Sequence, residues 1–115
     1  MSTEGSAIRV LVIEDEAPIR HLLKAYLQDT QFKLIEAETA KEGLLAIADK
    51  RPEIVLLDLG LPDQDGFEVI NTIRTWSSVP VIVISARGAE EEKVKCLEAG
   101  ADDYVTKPFG MSELM

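Results

Sequence analysis

The sequence predicts a parallel, doubly wound α/β sheet with right-handed crossovers. Runs rich in Val, Ile and Leu alternate with stretches of helical spacing from one end of the chain to the other. That alternation marks successive βα units, whose crossovers are right-handed. Three of the apolar runs are nearly continuous rather than alternating, as strands covered on both faces must be.

The first strand is expected over residues 8–13 (I-R-V-L-V-I) and the second over 32–37 (F-K-L-I-E-A). The third is expected over 53–58 (E-I-V-L-L-D), the fourth over 80–86 (P-V-I-V-I-S-A) and the fifth over 103–107 (D-Y-V-T-K). The first, third and fourth are the continuous ones and therefore central. The second is mixed in polarity and reads as an edge. Ile19, Leu22, Leu23, Tyr26 and Leu27 recur at i, i+3, i+4, i+7 and i+8, one apolar stripe of a first helix. Thr39-Ala40-Lys41-Glu42 is a capping box that opens a second helix, with Leu44, Ile47 and Ala48 expected inward. Asp65 before Gly66 reads as the N-cap of a third helix, marked by Val69, Ile70 and Ile73 and ending near Trp76, which is expected to pack there. A fourth helix over 89–99 is rich in E-E-E-K, buries little beyond Val94 and Leu97, and stops at Gly100. A fifth begins near Gly110, and the chain reaches Met115 before its second turn closes. The last helix is thus expected to be truncated and the protein to continue beyond it. Residues 1–7 are expected to form a flexible tail and residues 8–115 a single domain.

Composition narrows the function. A chain of 115 residues, 46% hydrophobic and 29% charged, can bury the core of one soluble domain. No apolar run approaches the roughly 18 residues of a membrane span, and M-S-T-E-G-S-A lacks a signal pattern, so a cytoplasmic, membrane-free location is expected. Cys96 is the single cysteine, which excludes an internal disulfide; with His21 as the single histidine, a structural zinc site is disfavoured. Cys96 is read as structural or simply exposed, and His21, on a polar helix face, as solvated rather than a phosphodonor. The net charge of −9 repels phosphate backbones and suits cations or a basic partner face.

The residues just past each strand carry the chemistry. The first strand ends in Glu14-Asp15, the third in Asp58, the fourth in Ser85 and the fifth in Lys107-Pro108. In a parallel sheet these ends share one edge, where ligands of open α/β sheets bind. Clustered carboxylates repel one another, and a hard cation relieves that repulsion. Mg²⁺ fits, since it takes oxygen ligands and bridges to phosphate oxygens. A carboxylate beside such an ion and a lysine can attack phosphorus to give an aspartyl phosphate, with Lys107 and the Ser85 hydroxyl neutralising the equatorial oxygens. Asp58 is the nucleophile by this reasoning, while Asp63 and Asp65, in the loop after Pro62, shape the turn and cap the next helix.

Two rivals fail on spacing and a third survives weakly. D-Q-D-G mimics the middle of a calcium loop, but Gly66 at loop position 6 puts Leu61 at position 1 and Thr72 at position 12, where acids are needed. A haloacid-dehalogenase-type phosphatase needs D-x-D, and Asp58-Leu59-Gly60 lacks the second acid. A mononucleotide module needs a glycine-rich loop after its first strand, where E-D-E-A-P stands instead.

The patterns I-E-D-E (13–16), L-L-D-L-G-L-P-D-Q-D-G (56–66), V-I-V-I-S-A-R (81–87) and G-A-D-D-Y-V-T-K-P-F (100–109) closely resemble the receiver domain of bacterial two-component response regulators. The resemblance covers residues 8–115 and lies nearest the OmpR/PhoB winged-helix group. It implies a flavodoxin-like fold of strand order 2-1-3-4-5, with Asp58 as phosphoacceptor. It implies Mg²⁺ on Asp15, Asp58 and the backbone carbonyl of Gly60, helped through water by Glu14. Ser85 and Lys107 would hold the phosphoryl group, and Ser85 and Tyr104 would pass the signal on. The phosphate would come from a sensor histidine kinase and be lost by slow self-hydrolysis. The group dimerises through its fourth helix, fifth strand and fifth helix; Lys93 and Glu113 match one inter-subunit pair, and Asp102 and Asp103 match acids whose arginine partners would lie past Met115. A homodimer weakened by that missing segment is expected, with DNA bound only through a C-terminal domain outside this chain. A stand-alone receiver acting through protein contacts, and a phosphatase using Asp58, are the alternatives.

Overall fold

A computed structural model describes residues 7–28, 31–85 and 90–106. They form β1 (Ile8–Ile13), α1 (Ala17–Tyr26), β2 (Phe32–Ala37), α2 (Ala40–Lys50), β3 (Ile54–Asp58), α3 (Gly66–Arg74), β4 (Val81–Ser85), α4 (Glu90–Ala99) and β5 (Asp103–Thr106). The strands make one sheet in the order β2-β1-β3-β4-β5, with every neighbouring pair parallel. The mixed strand is indeed an edge and the three continuous ones are central. The expected fifth helix and residues 1–6 of the tail expected over 1–7 lie outside the described residues.

The pleat explains the continuous runs. Alternate residues of one strand point to opposite faces. Val10, Val12, Leu56, Ile84 and Val105 therefore pack against Leu23 and its neighbours on α1, while Leu11, Ile13, Leu57, Val83 and Tyr104 pack beneath α2, α3 and α4. Each central strand must be apolar on both sides.

Local rules set most helix ends. Thr39 Oγ1 accepts from Glu42 N at 3.1 Å and caps α2, while the Glu42 carboxylate reaches back to Glu38 N at 3.1 Å, one residue before the N-cap. Asp65 Oδ1 accepts from Phe67 N at 2.8 Å and so caps α3. α4 ends on Gly100, whose φ of 117° only glycine takes readily; the Ala101 N–H then reaches Cys96 O at 3.0 Å and the Gly100 N–H reaches Leu97 O at 3.1 Å.

Two buried faces differ from the pattern expected of them. In α2, Ile47 is buried and Leu44 half-buried, but Ala48 is exposed. The helix approaches the sheet on Gly43, where a Cβ would lie 2.4 Å from Ile13 Cδ1, and this rotates the inner stripe to Ala40, Gly43 and Ile47. In α4, Val94 and Leu97 are 46% and 40% exposed, whereas Glu92 and Cys96 are buried. That helix turns a carboxylate to the sheet because polar partners wait for it there. Trp76, just past α3, is 49% exposed, so its packing at the helix end is partial.

Gly66 shows where packing tolerates no side chain. A Cβ there would lie 2.8 Å from Leu59 Cα, a backbone atom with nowhere to move. Gly66→Ala is expected to lower unfolding free energy by about 1–3 kcal/mol. Gly60→Ala, whose Cβ would meet nothing nearer than 3.7 Å, is expected to stay within about 0.5 kcal/mol of the parent. Urea denaturation of both variants checks the contrast.

Candidate functional site

Parallel register gathers the polar residues. Ile13 pairs with Leu57 and Asp58 with Ile84, so Glu14, Asp58 and Ser85 follow one another across three central strands at their carboxyl ends. All are buried, with Glu14 0%, Asp58 5% and Ser85 3% exposed. Carboxylates so withdrawn from water need compensating partners or a cation.

The acids converge, although not in quite the expected set. Oxygens of Glu14, Glu16 and Asp58 lie within 4.8 Å of one another. The Glu16 N–H donates to Glu14 Oε2 at 3.1 Å, so the turn folds one acid back over the other. Asp15, half-buried at the same strand end, is not in that trio. Three carboxylate oxygens at such separations suit a hard divalent ion with oxygen ligands. Arg20 on α1 fixes this turn. Its Nη1 donates to the carbonyls of Glu14 at 2.9 Å and Asp15 at 3.1 Å, while Nε and Nη2 approach Glu36 and Glu38 at 3.5 and 3.8 Å.

The loop after β3 is held at both ends. Leu59 and Leu61 are buried and anchor it in the core, leaving Gly60 exposed next to the Asp58 carboxylate. Asp63 does not cap the next helix, as the sequence suggested. It reaches back to α2, accepting from Ala40 N at 2.8 Å and Lys41 N at 3.1 Å. Those free amides, at the positive end of the α2 dipole, hold the Asp63 carboxyl below its ordinary value, with the Ala40 N–H the main cause.

On the α4 side, Ser85 Oγ donates to Glu92 Oε1 at 2.7 Å and Tyr104 Oη donates to the same oxygen at 2.6 Å. The other sequence-selected residues are more scattered. Lys93 and Asp103 are exposed, and Asp103 Oδ1 accepts from Tyr104 N at 2.7 Å. Asp102 Oδ2 takes Arg74 Nη2 at 3.0 Å and Val81 N at 2.8 Å, tying α3 to the start of β4. Lys107 and Glu113 lie outside the described residues. His21 is exposed beside Phe32 and Leu34, where β2 begins, away from the carboxylates. Cys96 is buried, and burial, with Glu92 nearby, pushes its thiol up to about 11, so it stays protonated and inert.

The family model described as the response regulator receiver domain matches residues 10–115. The chain belongs to that family. The receiver is 52% identical over 105 residues to the KDP operon transcriptional regulatory protein KdpE of Escherichia coli K12, covering 91% of this chain and 47% of that protein. It is 46% identical over 112 residues to the transcriptional regulatory protein PhoP of the same strain, covering 94% of this chain and 49% of that one. The chain thus spans about half the length of the curated relatives it matches. Among solved structures, the receiver domain of Francisella response regulator 1452 superposes with a TM-score of 0.86 at 31% identity, covering 93% of this chain and 89% of that one. The BeF3-activated receiver domain of Klebsiella pneumoniae RstA superposes at 0.87 with 25% identity, covering 92% and 91%. Among the described residues of the receiver, no helix is long and apolar enough to cross a membrane.

Geometry adds three residues that the sequence left unmarked: Glu16, Arg20 and Glu92. Glu16 was legible as a third acid in E-D-E, whereas Arg20 and Glu92 look in the sequence like ordinary polar residues of exposed helix faces. Asp63 offers a test through pH. Its depressed carboxyl stabilises the fold above the ordinary value of 3.8, and this contribution is lost as pH falls through the lowered value. Asp63→Ala is therefore expected to lower the thermal midpoint at neutral pH, with the gap from the parent narrowing in acid; melting curves across pH check it.

Proposed function

We propose that this receiver is a phosphorylation-controlled switch that accepts a phosphoryl group on Asp58. The observation that carries this reading is the convergence of buried Asp58 and Glu14 with exposed Glu16 at one edge of the sheet, one strand from Ser85. A buried carboxylate is poorly hydrated and, once its charge is balanced, able to attack.

An Asp58 oxygen attacks the phosphorus of a phosphohistidine on a sensor histidine kinase. The P–O bond forms as the P–N bond breaks, and the electron pair leaves with the imidazole nitrogen. Asp15, Asp58 and the Gly60 carbonyl would hold Mg²⁺, with Glu14 helping through water, and the proximity of Glu16 to Glu14 and Asp58 would let it join them as a further outer ligand. When bound, that ion neutralises charge on the phosphoryl oxygens. Arg20 keeps the Glu14–Asp15 backbone in place while this happens. Ser85 donates a hydrogen bond to the phosphoryl group, and Lys107 pairs with it. Water later attacks the phosphorus, releasing inorganic phosphate and restoring the carboxylate, so the domain is a transient acceptor rather than a turnover enzyme.

Phosphorylation raises the local charge from −1 to roughly −2 and adds acceptor oxygens. The Ser85 hydroxyl moves toward them and Tyr104 shifts into the space released, favouring a second packing of the α4–β5 surface. Lys93 and Asp103 are exposed on that surface and available to a second copy, while Asp102 is already engaged by Arg74. Exposed pairs of this kind contribute only ~0–1 kcal/mol each, so dimerisation of this segment alone is weak. In the whole protein the switch acts on transcription, as the names of the KdpE and PhoP relatives suggest; a further DNA-binding domain and a cytoplasmic setting belong to the same proposal.

Incubation with acetyl phosphate and Mg²⁺ is expected to add one phosphoryl mass to the intact protein. The gain should vanish with EDTA and in Asp58→Asn; a gain that survives that substitution would move the acceptor elsewhere. Ser85→Ala is expected to load more slowly, by about 100-fold, the lower end of the effect of losing one transition-state donor, read from the same mass time course.

A further inference from the structure

We propose that Glu92 is a positioning residue for Ser85, and that its carboxylate competes with a phosphoryl group on Asp58 for the proton of the Ser85 hydroxyl. The inference rests on the reading of Ser85 as a phosphoryl ligand. It adds what opposes that role.

One oxygen, Glu92 Oε1, accepts from Ser85 Oγ at 2.7 Å and from Tyr104 Oη at 2.6 Å. The three residues come from β4, α4 and β5, and they are 3%, 9% and 8% exposed. Both distances fall in the range of hydroxyl-to-carboxylate bonds, which are about twice as strong as neutral ones. An ionised carboxylate only accepts and a serine hydroxyl carries one proton. While that proton lies on Glu92 it cannot bond a phosphoryl oxygen. The two anions therefore contend for one donor.

Tyr104 shares the contested oxygen. When Ser85 turns toward Asp58, the buried carboxylate loses a donor, and a buried acceptor left short of partners is costly. Glu92 and Tyr104 must then rearrange together. α4 can follow, because its inner face offers little apolar grip: Val94 and Leu97 are exposed, and Cys96 is the buried apolar residue between them. The bridge thus links occupancy of the Asp58 edge to the placement of α4 against β5, using one oxygen.

The test uses beryllofluoride with Mg²⁺ as the phosphoryl probe, titrated calorimetrically into the parent, Glu92→Gln, Glu92→Asp, Ser85→Ala and the two double variants. Glu92→Gln keeps the shape but removes the charge. Replacing a charge-assisted bond by a neutral one should tighten beryllofluoride binding about fivefold. Glu92→Asp keeps the charge but shortens the arm, so it should also tighten binding; simple repulsion between Glu92 and the probe predicts no change for this variant. In the Ser85→Ala background neither substitution should matter, since no proton is left to contest. Ring resonances of Tyr104 should move toward their beryllofluoride-bound positions in Glu92→Gln before any probe is added. Unchanged or weaker binding in both Glu92 variants would overturn the proposal, as would an equal gain with Ser85→Ala. If Ser85→Ala alone binds like the parent, Ser85 is not a phosphoryl ligand, and both this proposal and that assignment fall. Binding that persists in Asp58→Asn would strike the acceptor assignment and, through it, the competition with a group on Asp58; binding lost in Asp58→Asn but unchanged in both Glu92 variants would strike the competition alone.

Discussion

Parallel pairing of β1, β3 and β4 is the constraint on which the rest of this domain depends. In parallel strands the carboxyl ends must share an edge, and the register here is tight enough to matter: Ile13 stands beside Leu57, and Asp58 beside Ile84. Whatever residue follows each strand is delivered to that edge. Chains leaving a core end in polar residues anyway. What distinguishes this edge is that its polar residues are buried, so each requires a partner that the neighbouring strand or helix supplies. A slip of one residue between β1 and β3 would exchange two buried apolar faces and, with them, carry Glu14 out of step with Asp58.

The helices are fastened to the sheet by different physical means, and the differences fit their tasks. α2 lies close on β1 through Gly43, and Asp63 ties its first amides to the loop after β3. α3 sits on Leu59 at Gly66, and its last turn sends Arg74 into the carbonyls of Gly100 and Val79. Those contacts are short and leave little room. α1 grips the opposite face with an apolar stripe while its Arg20 clamps the acidic turn. α4 alone relies on a buried carboxylate, with much of its apolar surface in solvent. Dispersion and burial act over wide contact areas and resist small shifts, whereas a hydrogen-bonded bridge has two discrete partners and can exchange one for another. The element with the polar fastening is the one suited to move.

Charge unifies chemistry and switching. A net charge of −9 is partly drawn into the strand-end cluster, where repulsion among Glu14, Glu16 and Asp58 disfavours the site without a cation. On the proposed reading, a phosphoryl group on Asp58 would add negative charge at the same edge. Ser85, which the structure shows bonded to Glu92, would then stand between two anions, one on a strand and one on a helix. Competition at that single hydroxyl is how the proposal converts a local covalent event into a shift of packing.

Much of this was legible in the chain itself. Continuous apolar runs had to be central strands because both their faces are covered, and the mixed run at 32–37 had to be an edge. Thr39 with Glu42, Asp65 before Gly66, and Gly100 after Ala99 marked helix ends because capping is a local matter of a few adjacent backbone groups. Strand-end residues could be nominated as a site because parallel topology alone places them together. Tertiary structure decided the rest, since it depends on which atoms of distant elements meet. The close approach at Gly43 turned Ala48 outward. The reach of Asp63 across to α2 replaced a local turn with a long-range cap. Arg20 found two carbonyls that no periodicity could point to. Glu92, one acid of an unremarkable E-E-E run, became the partner of Ser85 and Tyr104 because α4 happens to cover the face on which both hydroxyls lie. Periodicity reports how a residue faces its own helix or strand; the partner across the gap is set by packing between elements.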